Sequence, residues 1–143
     1  MKSGKGYLLD TCVISELIKT EPLPKVMEWI DGQDEENLYL CVITLGEVEK
    51  GISKLAEGRK KMQLQAWLAD ELMERFNGRI FGITTEVARC WGTMPGESEK
   101  IGRSLPVIDA LIAATAITND LIVVTRNTAD MNGSGATLLD PWE

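Results

Sequence analysis

Short apolar runs alternate along this chain with longer segments in which apolar residues recur every three or four positions. The first run covers residues 7–9 and stops at Asp10, and the helical spacing then continues over residues 11–19, which predicts a strand followed by a helix. The same patterns predict further strands over residues 38–43, 79–83, 121–125 and 137–139. They predict further helices near residues 26–32, from Thr44 to about Ala56, over 59–76, from an N-cap at Thr85 to about Trp91, and over 106–118, with a loop at 92–104.

The alternation of strands with helices predicts the class of fold. The strand over residues 121–125 and the helix over residues 106–118 are apolar at nearly every position, which is typical of elements buried on most sides. Such strands belong to a parallel sheet with helices on both faces. The chain has 143 residues, enough for one such unit. We expect a three-layer α/β/α fold with a central, mainly parallel sheet, formed as a single domain over residues 1–143.

Oxygen-bearing side chains follow the strands of this predicted sheet. Asp10 follows the first strand, Glu47 comes shortly after the second, Asp109 lies in the first turns of the buried helix, and Asn127 and Asp130 follow the last long strand. Ligands of open parallel sheets bind beyond the carboxyl ends of the strands, so we expect these side chains to meet there. Mg²⁺ and Mn²⁺ prefer carboxylate ligands, and such a cation promotes hydrolysis of a phosphodiester. The pattern therefore predicts a site for one or two divalent cations.

Each of these residues also has a purely structural explanation. Asp10 fits an N-cap, Glu47 fits the last position of a capping box, and Asp109 fits a carboxylate that complements a helix dipole. Asn127 and Asp130, taken alone, are typical of a turn. The apolar neighbours of Asp109 imply a buried setting, in which an unpaired carboxylate is costly, so this residue favours the functional explanation. For the other residues both explanations remain open.

Composition and charge narrow the chemistry. The formal net charge is −7 and histidine is absent, which excludes a whole-surface attraction for nucleic acid, histidine-based triads and histidine-ligated zinc. A phosphate-bearing substrate must then be held locally, by bound cations or by a few basic side chains. Arg126 stands at a strand end beside the expected site. The remaining basic candidates are expected to form a solvated helix face: Lys50, Lys54, Arg59, Lys60 and Lys61.

The other notable side chains predict ordinary core positions. Three tryptophans fit such positions: Trp29, Trp67 and Trp91. Three cysteines lie in apolar segments without a CxxC pair, and we expect them to be buried thiols in a reducing compartment: Cys12, Cys41 and Cys90. No apolar run is long enough to span a bilayer, and the run after Lys5 is too short for a signal peptide. We expect a cytoplasmic protein with no membrane partner.

Four segments resemble, in order, the motifs of the PIN-domain family. They are residues 8–16 (LLDTCVISE), 43–48 (ITLGEV), 106–116 (PVIDALIAATA) and 124–127 (VTRN), and the ending at 139–142 (LDPW) is also similar. The chain most resembles the toxins of VapBC and FitAB type toxin–antitoxin pairs. The resemblance spans almost the whole chain.

This resemblance implies a metal-dependent endoribonuclease that leaves 3′-hydroxyl and 5′-phosphate ends. It implies that Asp10, Glu47 and Asp109 ligate Mg²⁺ or Mn²⁺, with Asn127 as a further catalytic residue. Five more residues are expected to support the site: Thr11, Ser15, Thr125, Arg126 and Asp130. The resemblance also implies a homodimer that is inhibited by a cognate antitoxin, with operator DNA bound only through the antitoxin.

Two positions depart from the family pattern. Cys12 stands where many members have Asn, so an amide that helps to position the carboxylates is absent. Asn127 stands where close relatives have a fourth acid, and Asp130 is the other candidate for that position. An amide adds no negative charge, so we expect one tightly held cation in the free protein.

Two other functions remain as alternatives to a toxin ribonuclease. The first is a PIN-fold binding module, weakened at the fourth position, that acts mainly as an antitoxin partner and co-repressor. The presence of Asp10, Glu47 and Asp109 together argues against it. The second is a phosphatase with a strand-end aspartate as nucleophile, but such enzymes carry another Asp two residues on, where this chain has Cys12.

Overall fold

The computed structural model describes residues 6–100 and 105–143, and for residues 95–100 it describes the backbone alone. The strands are β1 (Gly6–Leu9), β2 (Leu38–Cys41), β3 (Ile80–Phe81), β4 (Leu121–Val124) and β5 (Leu138–Leu139). The helices are α1 (Thr11–Leu17), α2 (Pro24–Asp31), α3 (Val42–Ser53), α4 (Arg59–Ala66), α5 (Met73–Arg75), α6 (Thr85–Lys100), α7 (Val107–Thr118) and α8 (Thr128–Met131). A 3₁₀ turn (Glu35–Asn37) precedes β2, and a π-helical segment (Trp67–Leu72) joins α4 to α5.

The five strands form one sheet in the order β3-β2-β1-β4-β5, and every pair is parallel. In the central strand, Tyr7 lies opposite Leu38 of β2 and Ile122 of β4. Because all strands run the same way, their carboxyl ends lie along one edge. The predicted parallel sheet is confirmed, and with it the edge at which the candidate residues were expected.

Helices cover both faces of the sheet. Leu9 and Val124 belong to a core shared with α1, α2, α3 and the π-helical segment. Their strand neighbours, Leu8 and Val123, point the other way and belong to a core shared with α7 and α8. A third cluster joins α6 to the alanines of α7. The two-residue alternation of the strands thus supplies two cores, and the three-layer α/β/α fold is confirmed.

The junction between β2 and α3 differs from the prediction. The strand ends at Cys41 and α3 begins at Val42, so Thr44 lies inside the first turn and not at the N-cap. Thr44 is fully buried, and its hydroxyl has no hydrogen-bond partner among the described residues. The predicted capping box from Thr44 to Glu47 is therefore wrong, because burial of Thr44 overrides its local capping preference. Glu47 therefore does not act in a capping box, which was the structural explanation for this residue.

The long amphipathic segment predicted over residues 59–76 contains a wider turn than expected. Its buried residues Leu68, Leu72 and Phe76 recur every four positions, whereas an α-helix turns once in about 3.6 residues. The π-helical segment, with its wider turn, keeps these side chains directed at one core. Asn77 and Gly78 then end the helix as predicted, and Gly78 has φ +82°, a conformation that favours glycine.

Helix α6 is longer than its sequence predicts. The expected loop at 92–104 is wrong over residues 92–100, which continue the helix, and residues 101–104 lie outside the described part. Val87 and Met94 are buried against Ala110 and its neighbours in α7, and this packing outweighs the local helix breakers. The N-cap also differs, because the Thr84 hydroxyl, one residue before the predicted cap, accepts the Val87 N–H at 3.2 Å.

The remaining differences are small. Helices α1 and α3 end at Leu17 and Ser53, slightly before the predicted ends. The three tryptophans pack against the cores as expected. Cys41 is buried as predicted. The predicted burial of Cys12 and Cys90 is wrong, because both are only half-buried. No helix within the described residues is long and apolar enough to cross a membrane.

Candidate active site

Asp10 is placed by the junction of β1 with α1. Its backbone N–H donates to the Val124 carbonyl at 3.0 Å, which extends the pairing of β1 with β4 beyond the last strand residue. It then caps α1, because its Oδ1 accepts the Thr11 N–H at 2.8 Å and its backbone carbonyl accepts the Val13 N–H at 3.0 Å. The predicted N-cap is present. It fixes one carboxylate oxygen at the carboxyl edge of the sheet.

The second oxygen of Asp10 is held from the neighbouring strand. Thr125 follows β4 directly, and its hydroxyl donates to Asp10 Oδ2 at 2.7 Å. Asp10 is only 3% exposed and Thr125 is fully buried. A buried carboxylate with a donor on each oxygen is held in one orientation by charge-assisted hydrogen bonds.

Glu47 approaches this position from α3. The hydroxyl of Thr11, in the first turn of α1, donates to Glu47 Oε1. The adjacent residues Asp10 and Thr11 therefore connect, through side chains, to β4 and to α3. Thr11 was expected to support the site, and in the structure its hydroxyl holds the carboxylate of Glu47.

Asp109 lies in the first turn of α7, the helix that leads into β4. Burial, followed by the negative charges of Asp10, Asp130 and Glu47, raises the pKa of its carboxyl from 3.8 to about 6. No described residue donates a hydrogen bond to this carboxylate. Four acids from four parts of the sequence thus lie close enough at one edge for their charges to interact, and Asp109 is the one that prefers a proton or a cation.

The two candidates for the fourth position are arranged differently. Asp130, in α8, contributes negative charge at Asp109. Asn127 donates its backbone N–H to the Thr125 hydroxyl at 2.9 Å, and its side chain makes no hydrogen bond with the described residues. The structure thus brings Asp130 into the group of acids and places Asn127 in the supporting turn.

Three further residues surround this group. Ser15 is exposed on α1 and makes no hydrogen bond through its side chain with the described residues. Arg126 is exposed beside the site, with its guanidinium 5.5 Å from the centre of the Trp142 ring. The Cys12 sulfur lies 3.8 Å from Asp10 Oδ2, and burial raises the pKa of its thiol, which therefore stays protonated at neutral pH.

An open groove of about 1140 Å³ extends from the acids along α1, α3 and α4. Thr11, Ser15 and Glu47 line its end at the acids. Apolar side chains form much of the rest: Ile14, Leu17, Ile18, Leu55, Leu64 and Trp67. Lys19, Arg59 and Lys60 also line it, so two of the five cations expected to be solvated lie along a groove that reaches the site.

The group of acids has the chemistry of a Mg²⁺ or Mn²⁺ site. Its ligand atoms are oxygens, and the pKa of Asp109 is raised by burial and by the charges of the other acids, effects that a bound cation would offset. As the side chains stand, no three acidic or thiol groups of the described residues converge on one point. Mg²⁺ usually keeps several waters and is bound by one or two carboxylates. The arrangement therefore fits an ion that keeps several of its waters.

The fold and this edge define a class of protein: a parallel α/β sheet that carries interacting carboxylates, and no histidine, where its strands end. Within that class, the chain belongs to the PIN domain family, whose sequence pattern matches residues 7–130. The matched region contains Asp10, Glu47, Asp109 and Asp130. The family that the sequence motifs indicated is confirmed.

Individual relatives are similar over nearly their full lengths. The VapC ribonuclease Y4jK of Sinorhizobium fredii is 34% identical, over 95% of this chain and 97% of the relative. The toxin FitB of Neisseria gonorrhoeae is 33% identical, over 94% of this chain and 97% of the relative. A chain in the structure of FitAB bound to an IR36 DNA fragment superposes with a TM-score of 0.91 and 31% identity, and 96% of each chain is covered.

Sequence reasoning missed two contributions to the site. Cys12 was treated as the loss of an amide, yet its sulfur accepts the Arg126 N–H at 3.3 Å. Trp142, near the end of the chain, supports Arg126, and only the similarity of residues 139–142 to the family ending drew attention to it. Neither contact has a local sequence signal, because each joins positions that are far apart in the chain.

Proposed function

We propose that this chain is the endoribonuclease toxin of a type II toxin–antitoxin pair, with Mg²⁺ or Mn²⁺ as its cofactor. The observation that carries the proposal is the meeting of Asp10 and Glu47 at the carboxyl edge of the sheet, held by Thr11 and Thr125, with Asp109 and Asp130 near enough for their charges to interact. Relatives named as a ribonuclease and as a toxin, aligned along nearly the whole chain, support the same function. We further propose a single PIN domain over residues 1–143 and a cytoplasmic location.

Each residue of the site has a proposed role. Asp10 and Asp109 bind the cation directly, with Glu47 as the third ligand or as a ligand of its water, and Asp130 occupies the fourth acidic position. When bound, the cation supplies a water of lowered pKa and neutralises charge on the scissile phosphate. The Thr11 and Thr125 hydroxyls hold Glu47 and Asp10. Ser15 and Arg126, both exposed, are the proposed contacts to the substrate strand. Asn127 keeps Thr125 oriented through its backbone N–H.

We propose that the antitoxin inhibits the chain at this edge. Three or four carboxylates without a cation repel one another, so an arginine or lysine from a partner would relieve the repulsion and exclude the metal. The groove that starts at Glu47 offers apolar side chains beside the same acids, suited to apolar anchors of that partner segment. Excess Mn²⁺ should weaken such inhibition, and an arginine-to-glutamate change in the antitoxin segment should release activity.

The assembly is proposed from the same family. We propose a homodimer, bound by antitoxin and reaching operator DNA only through the antitoxin. The FitAB structure with bound DNA supports, by analogy, the association with an antitoxin and with DNA. Light scattering of the free chain and of its complex with the neighbouring gene product tests the two stoichiometries.

The binding-module alternative is less well supported. A weakened fourth position was its basis, yet Asp130 lies near enough to Asp109 for its charge to act there. None of the acids of the edge is diverted into an ion pair with a described residue. The edge therefore keeps its negative charge available for a cation.

The test is to co-purify the chain with the product of its chromosomal neighbour, free it from that partner and treat it with EDTA. We expect cleavage of RNA on addition of Mg²⁺ or Mn²⁺, none in EDTA, and inhibition when the partner is returned. Absence of cleavage with both metals, in a chain that still binds the neighbour and still folds, would instead support the binding module.

A further inference from the structure

A chain of hydrogen bonds joins the start of α1 to the turn that follows β4. Thr125 donates to Asp10 Oδ2 at 2.7 Å, and the Asn127 N–H donates to the Thr125 hydroxyl at 2.9 Å. From the other side, Cys12 lies one residue beyond the Thr11 N–H that caps Asp10 Oδ1. Its sulfur accepts the Arg126 N–H at 3.3 Å. Two separate segments are thus tied together around one carboxylate.

The direction of each bond in this chain is set by proton counting. A threonine hydroxyl has one proton and two lone pairs. The Asn127 N–H occupies one lone pair of Thr125, and because the Asp10 carboxylate oxygen is an acceptor, the Thr125 proton is directed to Asp10 Oδ2. The orientation of Asp10 therefore depends on where the backbone of the turn at residues 125–127 places its hydroxyl and its N–H groups.

Cys12 is the side chain that holds this turn from the opposite side. Besides the bond from Arg126 N–H, its sulfur lies 3.6 Å from the Thr125 hydroxyl oxygen and 3.8 Å from Asp10 Oδ2. Cys12 is half-buried and packs against the core that contains Leu9 and Val124. A thiol at this position therefore contacts all three parts of the arrangement: the carboxylate, the hydroxyl that holds it, and the turn.

We propose that Cys12 is a positioning residue, whose sulfur fixes the turn at residues 125–127 so that Thr125 holds the Asp10 carboxylate ready for a divalent cation. The sulfur acts on the carboxylate through the turn and through Thr125, and its own S–H lies 3.8 Å from Asp10 Oδ2. This inference rests on the proposed function only in taking Asp10 as a ligand of the cation.

The test measures Mn²⁺ affinity by calorimetry on the metal-free full-length chain, without RNA. Residues that orient a metal ligand typically change affinity by about 10- to 100-fold when removed. We expect Thr125→Val to lower the affinity by about that factor and Thr125→Ser, which keeps the hydroxyl, to remain within about threefold of the parent. Cys12→Ala should lower it by about tenfold, and Cys12→Ser should restore part of the loss, because a hydroxyl also accepts an N–H.

Two further measurements separate positioning from a general loss of packing. Cys90→Ala is the matched control, since Cys90 is a half-buried thiol packed in another cluster, and it should leave Mn²⁺ affinity unchanged. Amide hydrogen exchange of Arg126 should accelerate in Cys12→Ala and return toward the parent rate in Cys12→Ser. In the double variant, the losses from Cys12→Ala and Thr125→Val should combine to less than their product, because both act through Asp10.

The proposal is overturned if Cys12→Ala binds Mn²⁺ as the parent does, or if the two losses multiply independently. It is also overturned if Cys12→Ala and Cys90→Ala lower the affinity equally. None of these readings needs RNA cleavage, so a chain that binds Mn²⁺ as described but cuts no RNA would contradict the proposed function and leave this inference standing.

Discussion

Asp10 and Asp109 lie at the same edge of the sheet, yet their surroundings are opposite. Asp10 is almost fully buried and each of its oxygens accepts a hydrogen bond, one from the Thr11 N–H and one from the Thr125 hydroxyl. Asp109 is less buried, has no donor among the described residues, and has a pKa raised to about 6 by burial and by three neighbouring acids. One carboxylate is held by donors of the protein, and the other has no donor among the described residues.

This contrast indicates different roles for the two carboxylates. Donors around Asp10 keep its orientation whether or not a cation is present, which reduces reorganisation on binding. Burial and the charges of three other acids disfavour the ionised form of Asp109, and a bound cation would offset both effects there. A site with four equally satisfied carboxylates would have little to gain from a cation.

The largest effect is expected on RNA cleavage. Asp10→Asn, Glu47→Gln and Asp109→Asn should each lower the rate by about 100-fold or more, the scale of removing one preorganised electrostatic group. Glu47→Gln should keep the fold, because the glutamine carbonyl can still accept the Thr11 hydroxyl. Glu49→Gln, an exposed residue of the same helix, is the control and should cleave normally. Parental rates in all three variants would show that the site lies elsewhere.

A smaller effect is expected on the pH dependence of metal binding. Asp109 must lose its proton before it binds a cation, so Mn²⁺ affinity should rise about tenfold between pH 5 and pH 7, through the pKa of about 6. The Asp109→Asn variant should bind more weakly and lose this rise. Titration calorimetry in two buffers of different ionisation enthalpy would count the released protons. Equal pH dependence in both proteins would remove Asp109 from the metal site.

The two carboxylates should also affect stability with opposite signs when no metal is present. Asp10→Ala leaves the Thr11 N–H and the Thr125 hydroxyl without their acceptor, which costs about 1–3 kcal/mol of unfolding free energy. Asp109→Asn removes a repelled charge and should raise the unfolding free energy at pH 7. Urea denaturation of EDTA-treated protein measures both values. A loss of stability in both variants would mean that Asp109 is held as firmly as Asp10.

The sign of the pH dependence follows from the direction of the shift. The folded pKa of Asp109 lies above its ordinary value of 3.8, so the folded state binds the proton more tightly than the unfolded state does. Its contribution is fully present below about pH 4 and is lost as the pH rises through about 6. The stability difference between Asp109→Asn and the parent should therefore grow over this interval.

A single affinity change is expected at the groove that starts at Thr11, Ser15 and Glu47. Leu55→Glu places a charge among the apolar side chains that line it and should weaken binding of the cognate antitoxin by about tenfold. Met62→Glu is the matched control, because Met62 is 69% exposed and does not line the groove. Calorimetric titration with the neighbouring gene product measures both affinities. Equal weakening by the two variants would place the partner outside the groove.

Much of the fold could be predicted because its signals are local and repeated. The uninterrupted apolar runs at β1 and β4 predicted a parallel sheet buried on both faces, and the acids after those strands predicted the edge where they meet. The start of α3 and the length of α6 could not be predicted, because burial of Thr44 and the packing of Val87 and Met94 on α7 override local preferences. Tertiary contacts decided both.

The site also combines features that local sequence predicts with features that depend on tertiary contacts. Single positions identified Asp10, Glu47 and Asp109 as candidates. The choice between Asp130 and Asn127 for the fourth position required the geometry of α8, because both are residue types that are common in turns. The contact of Cys12 with Arg126 required two segments separated by 114 positions to lie together.

The most direct test of the central claim is the chemistry of the RNA ends produced by the freed, EDTA-treated chain after Mn²⁺ is added, with Asp109→Asn measured beside it. If the carboxylates activate water through a cation, the parent should leave 3′-hydroxyl and 5′-phosphate ends only when metal is present, and Asp109→Asn should leave the RNA intact. Products with 2′,3′-cyclic phosphate and 5′-hydroxyl ends, formed equally in EDTA and by Asp109→Asn, would contradict the account.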